Sequence, residues 1–121
     1  MNAPLIVAGS LAILGASVHG VGGEVLVRKL SRAVLPRSRF GGPKATLTMI
    51  HVTWHMTTIA YLGVGSALLV SGSVLHGDAA RGIGLVAAAT STGFAALAVV
   101  FRHPSTAMLT ATAALAWWEA L

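Results

Sequence analysis

The chain contains no cysteine. Disulfides, thiolate metal sites, iron–sulfur clusters and thiol nucleophiles are therefore excluded. Charge is nearly as scarce. Of 121 residues, eight are Lys or Arg and three are Asp or Glu, 9% in all, against roughly 25% in an average soluble domain. So few charges cannot cover a water-facing surface. A single acid near the histidines described below also falls short of a carboxylate-bridged di-iron bundle, which draws on several Glu. No glycine loop leads into a Lys as a phosphate-binding turn does. Polar groups are too few to assemble a nucleophile, a base and an oxyanion hole. An enzyme acting alone is disfavoured, and one working through a bound metal or haem stays open.

What is present is apolar. Hydrophobic residues make up 55% of the chain, and mean hydropathy is +0.81. The charges cluster, leaving four uncharged segments: Ala3–Val21, Ala45–Gly77, Gly82–Phe101 and Pro104–Trp118. A spanning helix needs about 20 apolar residues. The first three segments meet this, and the last does so by extending through Trp118 to Leu121 at the interface. The expected fold class is all-α: an integral membrane four-helix bundle forming a single domain over residues 1–121, with helices at about 4–20, 45–71, 79–101 and 105–120. A basic amphipathic segment at about 24–35 follows helix 1. Gly20, Gly22 and Gly23 weaken the helix ahead of that segment, and Pro36 ends it. It reads as an interfacial helix or as a cytoplasmic extension of the first span.

The formal net charge is +5, and six of the eight basic residues lie in one loop: Arg28, Lys29, Arg32, Arg37, Arg39 and Lys44. Positive residues stay on the cytoplasmic side. Arg102 falls on that side too, and Arg81 alone lies opposite. The pattern predicts four spans in the inner (cytoplasmic) membrane, with the N- and C-termini outside the cytoplasm. It is a topology signal, so nucleic acid is not an expected partner. Anionic headgroups are, at about 1 kcal/mol per Lys or Arg near the surface. The opening Met-Asn-Ala-Pro lacks the basic region of a secretory signal, so segment one is expected to persist as a helix. Small residues recur every fourth position at Ala8, Ala12, Ala16 and Gly20, and again at Gly84, Ala88, Thr92 and Ala96. Such faces allow close helix approach. In so thin a bundle they point to a homo-oligomer or a membrane partner subunit.

Chemistry could reside in the histidines. Thr48, His51, His55 and Thr58 follow 3-4-3 spacing and share one stripe of helix 2. Lipid would leave that stripe unpaired, so it faces protein or water. At about 1.5 Å per residue, His51 and His55 lie roughly 9 and 15 Å from the helix start. Topology brings His19, Glu24 and His103 to the same end and leaves His76 at the other. Neutral imidazole binds zinc, copper, nickel or haem iron. His51 and His55 offer two nitrogens from one helix, His19 a third, and Glu24 a carboxylate oxygen. Haem would take opposed axial ligands, His19 with His51. Two other readings compete. The histidines equally suit interhelical hydrogen bonds in a structural or accessory subunit, with Glu24 and Arg28 an ordinary helical ion pair. Histidines at depth also suit a proton or small-solute path, which would make the chain a transporter. Trp54 reads as a lipid or core contact, and His103 as a helix-entry residue.

Several short features share one order: His19, then Gly23-Glu24 and a basic–apolar helix ending near Leu35, then Trp54-His55 with Thr57-Thr58, then Ala116-Trp117-Trp118. In this order the chain resembles an uncharacterised family of small four-span bacterial membrane proteins. The resemblance covers most of the chain. It implies a four-span fold, carries no activity, and directs attention to His19, Glu24 and His55 ahead of His51 and His103.

Overall fold

The computed structural model describes residues 1–29, 41–100, 102–103 and 105–121. These form four helices: α1 (Ala3–Lys29), α2 (Pro43–Ser73), α3 (Gly77–Val100) and α4 (Thr106–Ala120). The first three are long and apolar enough to cross a membrane. The 15 residues of α4 rise about 22 Å, less than the roughly 30 Å of a hydrocarbon core.

Local sequence explains the helix ends. Asn2 caps α1, its side-chain oxygen accepting from the Leu5 N–H (3.2 Å). Pro43 opens α2, where its missing N–H costs nothing. At the end of α3 the chain reverses through Arg102, whose φ of 51° is left-handed. The Arg102 N–H donates to the Val99 carbonyl and the His103 N–H to that of Ala98. This is a Schellman turn made without glycine. It holds His103 against the end of the bundle.

At one boundary the structure takes the second of the two sequence readings, an extension of the first span, and at another it shifts the helix start. α1 runs unbroken through Gly20, Gly22 and Gly23, so the amphipathic segment continues the first helix as far as Lys29. Its residues 30–35 lie outside the described residues. Gly20 and Gly23 are buried against α2. That packing outweighs the roughly 1 kcal/mol each glycine costs a helix. α3 begins at Gly77, which places Asp78 inside the first turn rather than before it, where a carboxylate complements the helix dipole.

Each helix packs against its neighbours in sequence, and α4 returns to α1, closing a ring of alternating direction. One end is tied by polar contacts. The Asn2 N–H donates to the Gly72 carbonyl (2.7 Å), the Asn2 amide to the Glu119 carboxylate (2.7 Å), and the Ser71 hydroxyl to the Ala80 carbonyl (2.7 Å). The core is built of small residues. One cluster joins Leu5, Ala8, Leu68, Ala87, Ala88 and Ala116. A second joins Ala12, Ala16, Tyr61, Ala95, Ala98 and Leu109. Gly9 and Gly65 meet backbone to backbone, and a Cβ on Gly9 would collide with the Gly65 carbonyl.

The small-residue face of α1 is buried as a unit. On α3 the four-residue stripe is only half right. Gly84 and Ala88 are buried, but Thr92 and Ala96 face outward, and Ser91, Ala95 and Ala98 take their place. A 3.6-residue period drifts off a strict four-residue spacing. Large aliphatic side chains such as Leu14, Val18, Val52, Ile59, Val86 and Leu97 are exposed. Alanine inside and branched aliphatics outside invert the pattern of a soluble protein.

Candidate metal centre

α1 and α2 overhang the rest of the bundle. Trp54 lies flat on His19, ring centroids 4.1 Å apart at 3°, and its indole N–H donates to the His19 carbonyl (2.8 Å). His103, on the α3–α4 turn, has its ring centroid 5.9 Å from that of His19. The turn therefore sits at the level of His19. Glu24 is five residues further along α1, about 7 Å beyond at helical rise. At that height only α1 and α2 are present among the described residues.

The overhang gathers a carboxylate and two imidazoles. Glu24 Oε2 lies 2.6 Å from His51 Nε2 and 3.1 Å from His55 Nε2. Arg28 Nε donates to the other carboxylate oxygen, Oε1 (2.5 Å). The two imidazoles come from one face of α2, four residues apart, with ring centroids separated by 4.9 Å. Their side chains are 40% and 43% exposed and that of Glu24 26%, so one flank of the cluster is open. Gly23 permits the arrangement. It is buried under Trp54, and a Cβ there would fall inside the indole. A larger residue there would force the Trp54 ring out of its place between α1 and α2.

Three potential ligand atoms, one each from Glu24, His51 and His55, lie within 4.8 Å of one another. A tetrahedral ion with bonds near 2.1 Å spaces its ligands about 3.4 Å apart. Opening the two His–Glu contacts by less than about 1 Å would admit such an ion. Two histidines and one carboxylate form a donor set that first-row divalent metals accept. Arg28 would act as an outer partner that fixes the carboxylate. Without an ion, the same three side chains make interhelical hydrogen bonds.

The sequence had joined His19 to this set, and the geometry places it elsewhere. Its Nδ1 lies 3.0 Å from the Thr58 hydroxyl, and its ring is covered on one face by Trp54. Haem between His19 and His51 has no slot. Gly20 and Gly23 bring α1 into contact with α2 at this level, and Trp54 occupies the space a macrocycle would need. Trp54 is thus a protein contact. Thr48 leaves the polar stripe: it is exposed, and its hydroxyl bonds back to the Lys44 carbonyl (3.0 Å). His76 stands at the far end. Sequence reasoning passed over the Tyr61 and Ser91 hydroxyls, both buried in the core. Neither lies on a marked polar stripe, so spacing gave no signal for them.

The fold and the cluster define an all-helical protein with three membrane-length helices and a two-histidine, one-carboxylate group at one end. Comparison with family models, with curated proteins and with solved structures finds no match.

Proposed function

We propose that the chain is an integral membrane protein that binds a divalent transition metal through Glu24, His51 and His55. The observation that carries this reading is the convergence of three ligand atoms within 4.8 Å, with the spare carboxylate oxygen held by Arg28. Zinc, copper and nickel all suit the donors. The open flank leaves room for a further ligand, which favours an exchangeable ion over a closed structural one. Binding requires an Nε2 lone pair from each ring, so protons compete with the ion and affinity falls on acidification.

Membrane insertion is supported by the three long apolar helices and by the aliphatic outer surface. Counted from Ala3, Glu24 stands about 31 Å along α1 at helical rise, at the edge of a roughly 30 Å hydrocarbon core. The charges and the metal group then sit at headgroup depth, where desolvation is least. The basic bias of the α1–α2 loop supports an inner-membrane topology with that loop in the cytoplasm, and both termini lie outside when α4 crosses as a short fourth span. The cysteine-free chain makes this easy to test. A cysteine at Lys44 should react from the cytoplasmic face and one at Asp78 from the other, and the reverse pattern would refute the orientation.

The metal reading is tested by titrating cobalt(II), a coloured stand-in for zinc, into protein purified in mild detergent. Visible bands saturating at one ion per chain, and absent in Glu24→Gln, are the expected result. No bands at any ratio would leave the second reading, an accessory subunit in which Glu24, His51 and His55 tie α1 to α2. That reading is favoured by the hydrogen bonds already closed between them.

A further inference from the structure

A second imidazole pair stands apart from the metal group. His19 and His103 both line a cavity of about 230 Å³ between the helices. Their hydrogen-bond partners assign the ring proton, given a Thr58 hydroxyl hydrogen that points at the Trp54 carbonyl rather than at His19. Thr58 has one hydroxyl hydrogen, and it goes to the Trp54 carbonyl (3.1 Å). The contact between Thr58 and His19 Nδ1 (3.0 Å) is therefore a donation from the ring, and His19 Nε2 keeps a bare lone pair. His103 is the converse. The Ser105 backbone N–H donates to its Nδ1 (3.2 Å), and the Ser105 hydroxyl lies 2.6 Å from the same atom. His103 Nδ1 is an acceptor, and the ring proton sits on Nε2. Neither Nε2 has a partner among the described residues. The pair offers one acceptor and one donor.

A protonated His103 Nε2 disfavours a metal here. Thr57, Thr58 and Ser105 also line the cavity, and the rest of its wall is mostly apolar, including Ala16, Phe94 and Met108, with Phe94 set edge-on to Tyr61 (5.2 Å, 80°). Leu97 also lines the cavity and is 57% exposed, so the cavity opens on the aliphatic outer surface. An occupant would arrive from hydrocarbon. A dry apolar cavity of roughly 150 Å³ holds benzene, so this one has space for a substituted ring.

We infer that the cavity between His19 and His103 binds a lipid-soluble phenol or hydroquinone. Its hydroxyl donates to His19 Nε2, and the same oxygen accepts from His103 Nε2–H. The inference shares the membrane placement proposed above and is independent of the metal group.

The test uses full-length protein in lipid nanodiscs and a decyl-substituted dimethoxybenzohydroquinone, kept reduced with ascorbate. Uptake is measured against empty nanodiscs. Saturable uptake of one molecule per chain is expected. The dimethyl ether of the probe, which cannot donate, should bind at least about tenfold more weakly, as a lost hydrogen bond in a dry site predicts. His19→Leu and His103→Leu should weaken binding of the hydroquinone by a similar factor, and Val86→Ala on the outer face should not. If His19→Leu loses helical structure, His103→Leu decides. Uptake no greater than that of empty nanodiscs overturns the proposal. Equal binding of the ether, or by His103→Leu, overturns it as well and leaves a cavity that takes an acyl chain only.

Discussion

His19 with His103, and His51 with His55, are two imidazole pairs at the same end of one small bundle, and their surroundings give them different chemistry. The first pair lies where α1 through α4 are all present, with mostly apolar walls and each Nδ1 already bonded to a hydroxyl. The second lies on the α1–α2 overhang, with a carboxylate between the rings and one side open. Position along the helix accounts for the difference. Below the α3–α4 turn a ring must be enclosed and its protons placed. Above it only two helices stand among the described residues, and the partly exposed cluster keeps its carboxylate where desolvation is small.

The contrast can be broken from either side. Replacing His51 and His55 together with Ala should lower zinc affinity by more than about 100-fold, since losing ligands exceeds the 10- to 100-fold effect of losing outer partners. Calorimetric titration measures it. Gly23→Val should destabilise the α1–α2 pair by about 1–3 kcal/mol, the usual range for overpacking, read by denaturation in mild detergent. It should also weaken zinc binding, because Trp54 and α2 must move away from Glu24. Arg28→Ala should leave the fold intact and reduce zinc affinity about 10-fold by freeing the carboxylate. Thr58→Val should cost about 1 kcal/mol of stability by leaving His19 Nδ1–H without its acceptor, with zinc affinity unchanged. That last variant sharpens the comparison, since it touches the enclosed pair alone.

Much of this architecture was legible in the residues. The gaps between charges marked all four helices, and the four-residue recurrence of Ala8, Ala12, Ala16 and Gly20 marked the face α1 buries. The same rule misplaced Thr92 and Ala96 because the helical period is not four. Glycines at 20, 22 and 23 read as a weak point in the helix; Gly20 and Gly23 proved to be a contact surface and Gly22 is open, since a glycine's effect depends on whether another helix lies over it. Spacing alone put His51 and His55 on one face, and Glu24 was close enough in topology to join them. What it could not fix was rotation of α1 against α2. That rotation turns Glu24 toward the histidines and sets His19 under Trp54, and it depends on the fit of Gly23 to the indole. The acceptor and donor roles of His19 and His103 rest on Thr58 and Ser105, whose hydroxyls carry no signature in sequence.

The most direct test of the account is the zinc stoichiometry of two paired variants purified alongside the parent chain. His19→Ala with His103→Ala should retain one ion per chain, and His51→Ala with His55→Ala should retain none. Equal zinc in both, or loss in the first pair and retention in the second, would contradict the assignment of the metal to Glu24, His51 and His55.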